Sequence, residues 1–212
     1  LISLHPWSEM TRFTRSGGEA NAVAIRIARA ASGRDKVAVC GYHGWHDWYL
    51  SSNIINTDSL NSHLMKNVPI DGVPKNLKNT VYPFEYNNYK QLKKIIEEHK
   101  IGTIKMEVKR NSEPKNNFLK KVRKLASQNN IVLIFDECTS GFRQTYGGLH
   151  KFYNVEPDIA IFGKALGNGH AINAIIGRKS VMEYAQQSFI SSTFWTERVG
   201  PTAAIETLKI ME

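Results

Sequence analysis

Cysteine is scarce in this 212-residue sequence: Cys40 and Cys138 stand far apart with no C-x-x-C spacing, which argues against both a disulfide framework and a structural zinc site. Also missing is any uninterrupted apolar run of the roughly 18 residues that a membrane helix needs. The opening residues Leu1-Ile2-Ser3-Leu4-His5-Pro6 lack the basic-then-apolar order of a secretory leader, so a soluble, cytoplasmic protein with no membrane partner is expected. Acidic residues are outnumbered, 19 against 28 Lys and Arg, for a formal net charge of +9. Such an excess can mark a nucleic-acid-binding face. Here the lysines fall on polar sides of helical patterns, as in Lys120-Lys121-Val122-Arg123-Lys124, where solvated surface accounts for them, and no nucleic-acid partner is expected. The chain opens on Leu1 instead of Met, and the amphipathic pattern over 201–212 has no stop signal beyond it, so a fragment of a longer protein is expected.

What is present alternates between two periods. Short β-branched runs at Lys36-Val37-Ala38-Val39-Cys40 and at residues 101–108, 131–136, 158–163 and 172–177 read as buried parallel strands. Helical patterns separate most of them. In residues 19–31, Ala20, Val23, Ala24, Ile27, Ala28 and Ala31 follow the i, i+3, i+4 spacing of one helix face, and residues 88–99, 116–130 and 179–188 are comparable. This alternation predicts an α/β fold: a mostly parallel sheet with helices on both faces, whose ligands lie beyond the carboxyl ends of the strands. Residues 51–87, rich in Asn, Ser and Pro, are too long for an ordinary connection and read as either a lid or a disordered insertion.

Four places carry potential chemistry. Ser16-Gly17-Gly18-Glu19-Ala20 precedes the first helical pattern; its glycines and the free N–H groups of a helix start suit a phosphate, while the S-x-x-E spacing equally suits a capping box. Asp136 leaves the most apolar strand of the chain, where a buried carboxylate requires a partner: a metal ion, a lysine or arginine, or a protonated pyridine, unless it merely caps the next turn. Lys164, between Gly163 and Ala165-Leu166-Gly167 past another strand, is placed where desolvation favours the neutral amine that Schiff-base chemistry uses, although a lysine in a turn is ordinarily solvated. In Tyr42-His43-Gly44-Trp45-His46-Asp47, the residues His43, His46 and Asp47 could ligate a metal but lack the H-E-x-x-H spacing, and Tyr42 could stack on a planar cofactor.

Ser16-Gly17-Gly18-Glu19-Ala20-Asn21, Tyr42-His43-Gly44, Phe135-Asp136-Glu137-Cys138-Thr139-Ser140-Gly141-Phe142-Arg143, Phe162-Gly163-Lys164 and Ser192-Thr193-Phe194 occur in that order over nearly the whole chain. Together they resemble the class III aminotransferases of fold type I, most closely the glutamate-1-semialdehyde aminomutase branch. The resemblance implies that residues 1–212 are part of a large domain binding pyridoxal 5'-phosphate, with an N-terminal segment and a small C-terminal domain outside them. It implies that Lys164 holds the cofactor as a Schiff base and shuttles the substrate proton, and that Asp136 pairs with the pyridine nitrogen. Gly17 and Gly18 would hold the phosphate, Tyr42 and Cys138 would pack on opposite ring faces, and His43 and Glu107 would lie beside the cofactor. Thr193 would complete the phosphate site of a neighbouring subunit in a homodimer, and residues 51–87 resemble a mobile entrance loop. Arg143, on the turn after Asp136, is a candidate for reading a substrate carboxylate.

The chain departs from the family pattern in three places. Gly18 stands where Ser or Thr is common, Val108 replaces the proline that often follows the equivalent of Glu107, and Phe194-Trp195-Thr196-Glu197-Arg198 replaces a pattern of small residues and Asn-Pro. The function expected is transfer of an amino group from a small-molecule donor to an oxo acceptor. The alternatives are an aminomutase that uses the same steps on one substrate and, from a different class, a cofactor-fold binding module without catalysis. Against the last, a mere binder has little need for both an electron sink and a proton shuttle.

Overall fold

The β-branched runs become a seven-stranded sheet in the computed structural model, which describes every residue except Leu64, and Thr193 in its backbone only. The strands are β1 (Met10–Thr14), β2 (Lys36–Cys40), β3 (Val81–Pro83), β4 (Ile101–Glu107), β5 (Val132–Glu137), β6 (Ile159–Phe162) and β7 (Asn173–Gly177), in the order β1-β7-β6-β5-β4-β2-β3. β3, β2, β4, β5 and β6 are mutually parallel. β7 runs antiparallel to both β6 and β1, against the parallel strand expected at 172–177. Residues 163–172 are fewer than the dozen or so that a parallel crossover needs, so the chain can only turn back on itself. Two short strands at or near the sheet edges escape the sequence pattern. β1 carries Arg12 and is mostly half-exposed, and β3 is three residues long and contains Pro83, tolerated where no ladder hydrogen bond is required of it.

The helices are α1 (Gly17–Ser32), α2 (Asp47–Leu50), α3 (Tyr89–Glu98), α4 (Phe118–Gln128), α5 (Leu149–Phe152), α6 (Lys179–Met182) and α7 (Val199–Met211). On one face of the sheet, Ala20, Ala24, Ile27 and Ala28 of α1 cluster with Val37, Val39, Ile134 and Ile161. On the other, Leu92 of α3 and Phe118, Val122 and Leu125 of α4 cluster with Ile104, Leu133 and Phe135. Both faces are thus covered, as alternating strands and helices require. The helix expected over 179–188 is broken: α6 ends at Met182 and a 3-10 turn, Glu183–Gln187, follows. The described residues of the segment 51–87 are packed, against the reading of a disordered insertion. They contain 3-10 turns at Ser51–Asn53 and Lys75–Leu77 before β3, bury Leu60, His63 and Phe84, and are tied by Asn53, whose amide accepts from Leu60 N–H and donates to the Val68 carbonyl.

Strand direction now decides what meets. β1 and β6 both oppose β7 and therefore run the same way, so Ser16, Tyr42, Glu107, Asp136 and Lys164 all emerge at one edge of the sheet. Because β7 is reversed, its first residue, Asn173, joins them. The turn beyond β5 is anchored by the fully buried Glu137, which accepts from Leu149 N–H (2.6 Å), His150 N–H (3.1 Å), His150 Nδ1 (2.5 Å) and Ser140 Oγ (2.9 Å). Replacing it strands several buried donors. Glu137→Ala should lower the unfolding free energy by at least about 2 kcal/mol, whereas Lys93→Ala on the exposed side of α3 should stay within about 0.5 kcal/mol of the unmodified protein. Comparable denaturation midpoints for the two variants would refute the anchoring role.

Candidate active site

Asp136 is 4% exposed, and its carboxylate is held from three directions. Oδ2 accepts from Lys105 Nζ at 3.1 Å and His43 Nδ1 at 2.9 Å, while Oδ1 accepts from the Cys138 N–H at 3.2 Å. Burial alone would raise its pKa, but the Lys105 ammonium and the His43 hydrogen bond outweigh it and hold the carboxyl well below the usual carboxylate range. For His43, burial and then the Lys105 charge outweigh Asp136 and push the pKa down to about 4; Nδ1 faces Asp136, and Nε2 lies 3.1 Å from the Cys40 carbonyl. Of the partners open to Asp136 on sequence grounds, the chain itself supplies a lysine. Lys105 lies mid-strand in Ile104-Lys105-Met106, and a charge at a position that alternation buries is the signal that could have singled it out.

Opposite Asp136 in the β4–β5 register stands Glu107. Its Oε2 accepts from the Tyr42 N–H at 3.0 Å and from Arg110 at 3.3 Å; burial raises its pKa against those two partners. Gly41 makes this approach possible, because its φ of +102° suits glycine and a Cβ there would lie 2.5 Å from Glu107 Oε2. The Arg110 guanidinium sits over the Tyr42 ring, 5.6 Å from its centroid. Glu107 and Arg110 border a cavity of about 230 Å³ that also takes in His63 and Glu85, and Tyr42 borders a second, more apolar one of about 320 Å³ with Trp45, Leu60 and Met65.

Lys164 adopts φ +44°, a left-handed conformation uncommon outside glycine and, where observed, a pointer to function. Its Nζ donates to Thr139 Oγ1 at 2.8 Å, on the turn that follows Asp136. The burial expected of it is not found: the residue is exposed, since it lies one residue beyond the buried Gly163 on the open edge of the sheet. Cys138 is half-buried, with Sγ 3.7 Å from Asn173 Oδ1 and 3.9 Å from the position a Cβ on Gly17 would take, so the helix start, the turn after β5 and β7 converge there.

At the start of α1, Ser16 Oγ accepts from Glu19 N–H at 3.3 Å, while the Glu19 carboxylate accepts from Arg15 N–H, one residue short of the reciprocal arm of a capping box. Gly17 and Gly18 open the helix, where N–H groups lack intrahelical acceptors. Gly18 faces the His46 ring: a Cβ would lie 2.1 Å from Cε1 and 2.6 Å from Nδ1. His46 Nδ1 is buried without a hydrogen-bond partner among the described residues. His43 and His46 therefore do not form a joint metal site; one turns to Asp136, the other to the helix start. Arg143 is exposed and has no ion pair among the described residues. Thr193 begins the 3-10 turn Thr193–Thr196, and its side chain lies outside the described set.

Known proteins share this arrangement of elements. An ω-transaminase of Sphaerobacter thermophilus superposes with a TM-score of 0.86 at 26% identity, over 100% of this chain and 51% of that one. The Sphingopyxis FumI protein, solved in its PLP internal aldimine form, shares the fold at a TM-score of 0.83 and 23% identity, over 99% of this chain and 49% of that one. In sequence, a 3-aminobutyryl-CoA aminotransferase of Cloacimonas acidaminovorans is 38% identical, over 100% of this chain and 49% of that protein. A glutamate-1-semialdehyde 2,1-aminomutase of Methanobrevibacter smithii is 36% identical, over 100% and 51%. The chain thus spans about half the length of the curated relatives it matches. The family model "Aminotransferase class-III" matches residues 1–212 throughout, and the chain belongs to the class III aminotransferases.

Proposed function

We infer that the whole protein is a pyridoxal-phosphate-dependent aminotransferase, moving an amino group from a small-molecule donor to an oxo acceptor. The observation that carries this reading is the pairing at one sheet edge of an ionised buried Asp136, whose Oδ1 keeps acceptor capacity, with the Lys164 amine on an adjoining turn. The cofactor, when bound, supplies an aldehyde that condenses with amines and a ring that accepts electrons as a substrate C–H proton leaves.

The residues present fit that group. Asp136 Oδ1 would accept a hydrogen bond from the protonated ring nitrogen, Tyr42 and Cys138 would bound the ring, and Lys164 would hold the aldehyde carbon and afterwards move the proton at the substrate carbon. Gly17 and Gly18 N–H groups would receive the phosphate. His46 fills the space that a Ser or Thr side chain at position 18 would occupy, so its Nδ1, unpartnered among the described residues, would replace the missing hydroxyl by donating a hydrogen bond to the phosphate. In a homodimer Thr193 would contribute to the partner's phosphate site, and the exposed Arg143 would read a substrate carboxylate. The aminomutase reading uses the same residues. It draws support from the aminomutase relative and from residues 51–87, a lid on this reading, whose Leu60 and Met65 border the cavity beside Tyr42. Enclosing one substrate through both steps would convert transfer into isomerisation.

Full-length protein given separate donor and acceptor should exchange the amino group between the two molecules; isomerisation of a lone amino aldehyde without exchange would favour the mutase instead. Borohydride should fix the cofactor covalently to Lys164, with the adduct lost in Lys164→Ala; an adduct mapped to another lysine would overturn the assignment. Gly18→Ser alone should lower cofactor retention through its collision with His46, and His46→Ala alone should lower it through the lost donor. Gly18→Ser with His46→Ala should recover it, and equilibrium dialysis that shows no recovery would refute the exchange of roles.

A further inference from the structure

The proposed chemistry makes no use of Lys105, yet the residue occupies a place where a lysine is expensive. It is 0% exposed, in register with Val39 on β2 and Ile134 on β5, on the sheet face that α1 covers. An aliphatic side chain would suit that position; a lysine gives up hydration and rotamer freedom there. What offsets this is its contact with Asp136 Oδ2 at 3.1 Å.

The charges around Asp136 close in pairs. Lys105 balances Asp136, and Arg110 balances Glu107 across the register. His43 comes from the loop after β2, its pKa lowered by burial and by the Lys105 charge; Cys138 approaches on the turn after β5; from α1 the neighbour is the uncharged Asn21, whose amide donates to the His43 carbonyl at 3.3 Å. A protonated ring nitrogen on Oδ1 would be a second cation on a carboxylate already matched by one.

We propose that Lys105 is a positioning residue that fixes Asp136 through Oδ2, reserves Oδ1 for the cofactor's ring nitrogen and, by its charge, weakens that nitrogen's hold on its proton. The proposal rests on the pyridoxal-phosphate reading above. Two cations sharing one buried carboxylate disfavour each other, and the ring nitrogen, with the lower proton affinity, yields first. Lys105 also bears on His43, which shares Oδ2 with it: without the ammonium, the pKa of His43 would rise.

The test uses the full-length protein loaded with pyridoxal phosphate labelled with nitrogen-15 in the ring. Relative to the unmodified holoenzyme, Lys105→Met should move the ring resonance toward the pyridinium position, and Lys105→Arg should leave it near the unmodified value; an unchanged resonance in Lys105→Met overturns the proposal. In cofactor-free protein, His43 should titrate at distinctly higher pH in Lys105→Met than in the unmodified protein. A lysine with only a packing role would leave that titration where it is, and such a result also counts against the proposal. Should Lys105→Met fail to fold, Lys105→Gln takes its place: a ring resonance moved toward the pyridinium position supports the proposal, and an unchanged one overturns it. Failure of the label to bind at all, with no borohydride adduct, brings down the cofactor reading and this proposal with it.

Discussion

A carboxylate buried at the end of a central strand is the constraint on which the rest of this structure depends. An uncompensated charge at the position of Asp136 would be costly enough to unfold the site or protonate the group. Its compensation comes from Lys105, His43 and the Cys138 N–H, which belong to β4, the loop after β2 and the turn after β5. They can meet only if β2, β4 and β5 lie side by side, parallel and in the observed register. Sheet order and ion pair therefore specify one another, and a slip of one residue along β4 would turn Lys105 to the opposite face.

The same edge tolerates unusually close approaches. Gly41 lets Glu107 accept the Tyr42 N–H, and Gly18 leaves room for an imidazole against the first turn of α1. The reversed β7 brings Asn173 to the cluster; its amide holds the Arg15 carbonyl at 3.1 Å and meets Cys138 Sγ. Helix start, strand end and hairpin are thus coupled at one point. On the proposed reading this coupling aims the phosphate, ring and amine sites relative to one another, while the two cavities on either side of Tyr42 and Glu107 are left to distinguish substrates.

Much of this was legible in the residues themselves. The strands at 36–40, 101–108 and 131–136 and the helices at 19–31, 88–99 and 116–130 follow directly from period and β-branching, because burial on both faces of a parallel sheet leaves a strong signature. The places of Asp136 and Lys164 at strand ends were legible for the same reason. What escaped was set by neighbours distant in sequence: the direction of β7, the edge strands β1 and β3, the packed interior of residues 51–87, and the exposure of Lys164.

By itself, the sequence determined the local states: which segments extend, which coil, and which chemical groups stand at their ends, since periodicity and capping act within a few residues. Only the tertiary structure decided who partners whom. That Asp136 is balanced by a lysine thirty-one positions earlier, that burial and this lysine's charge lower the His43 pKa, and that His46 fills the place of a missing side chain at Gly18 all follow from contacts across strands and loops. Electrostatic and steric energies depend on distance in space, and spacing along the chain carries no record of that distance until the sheet has formed.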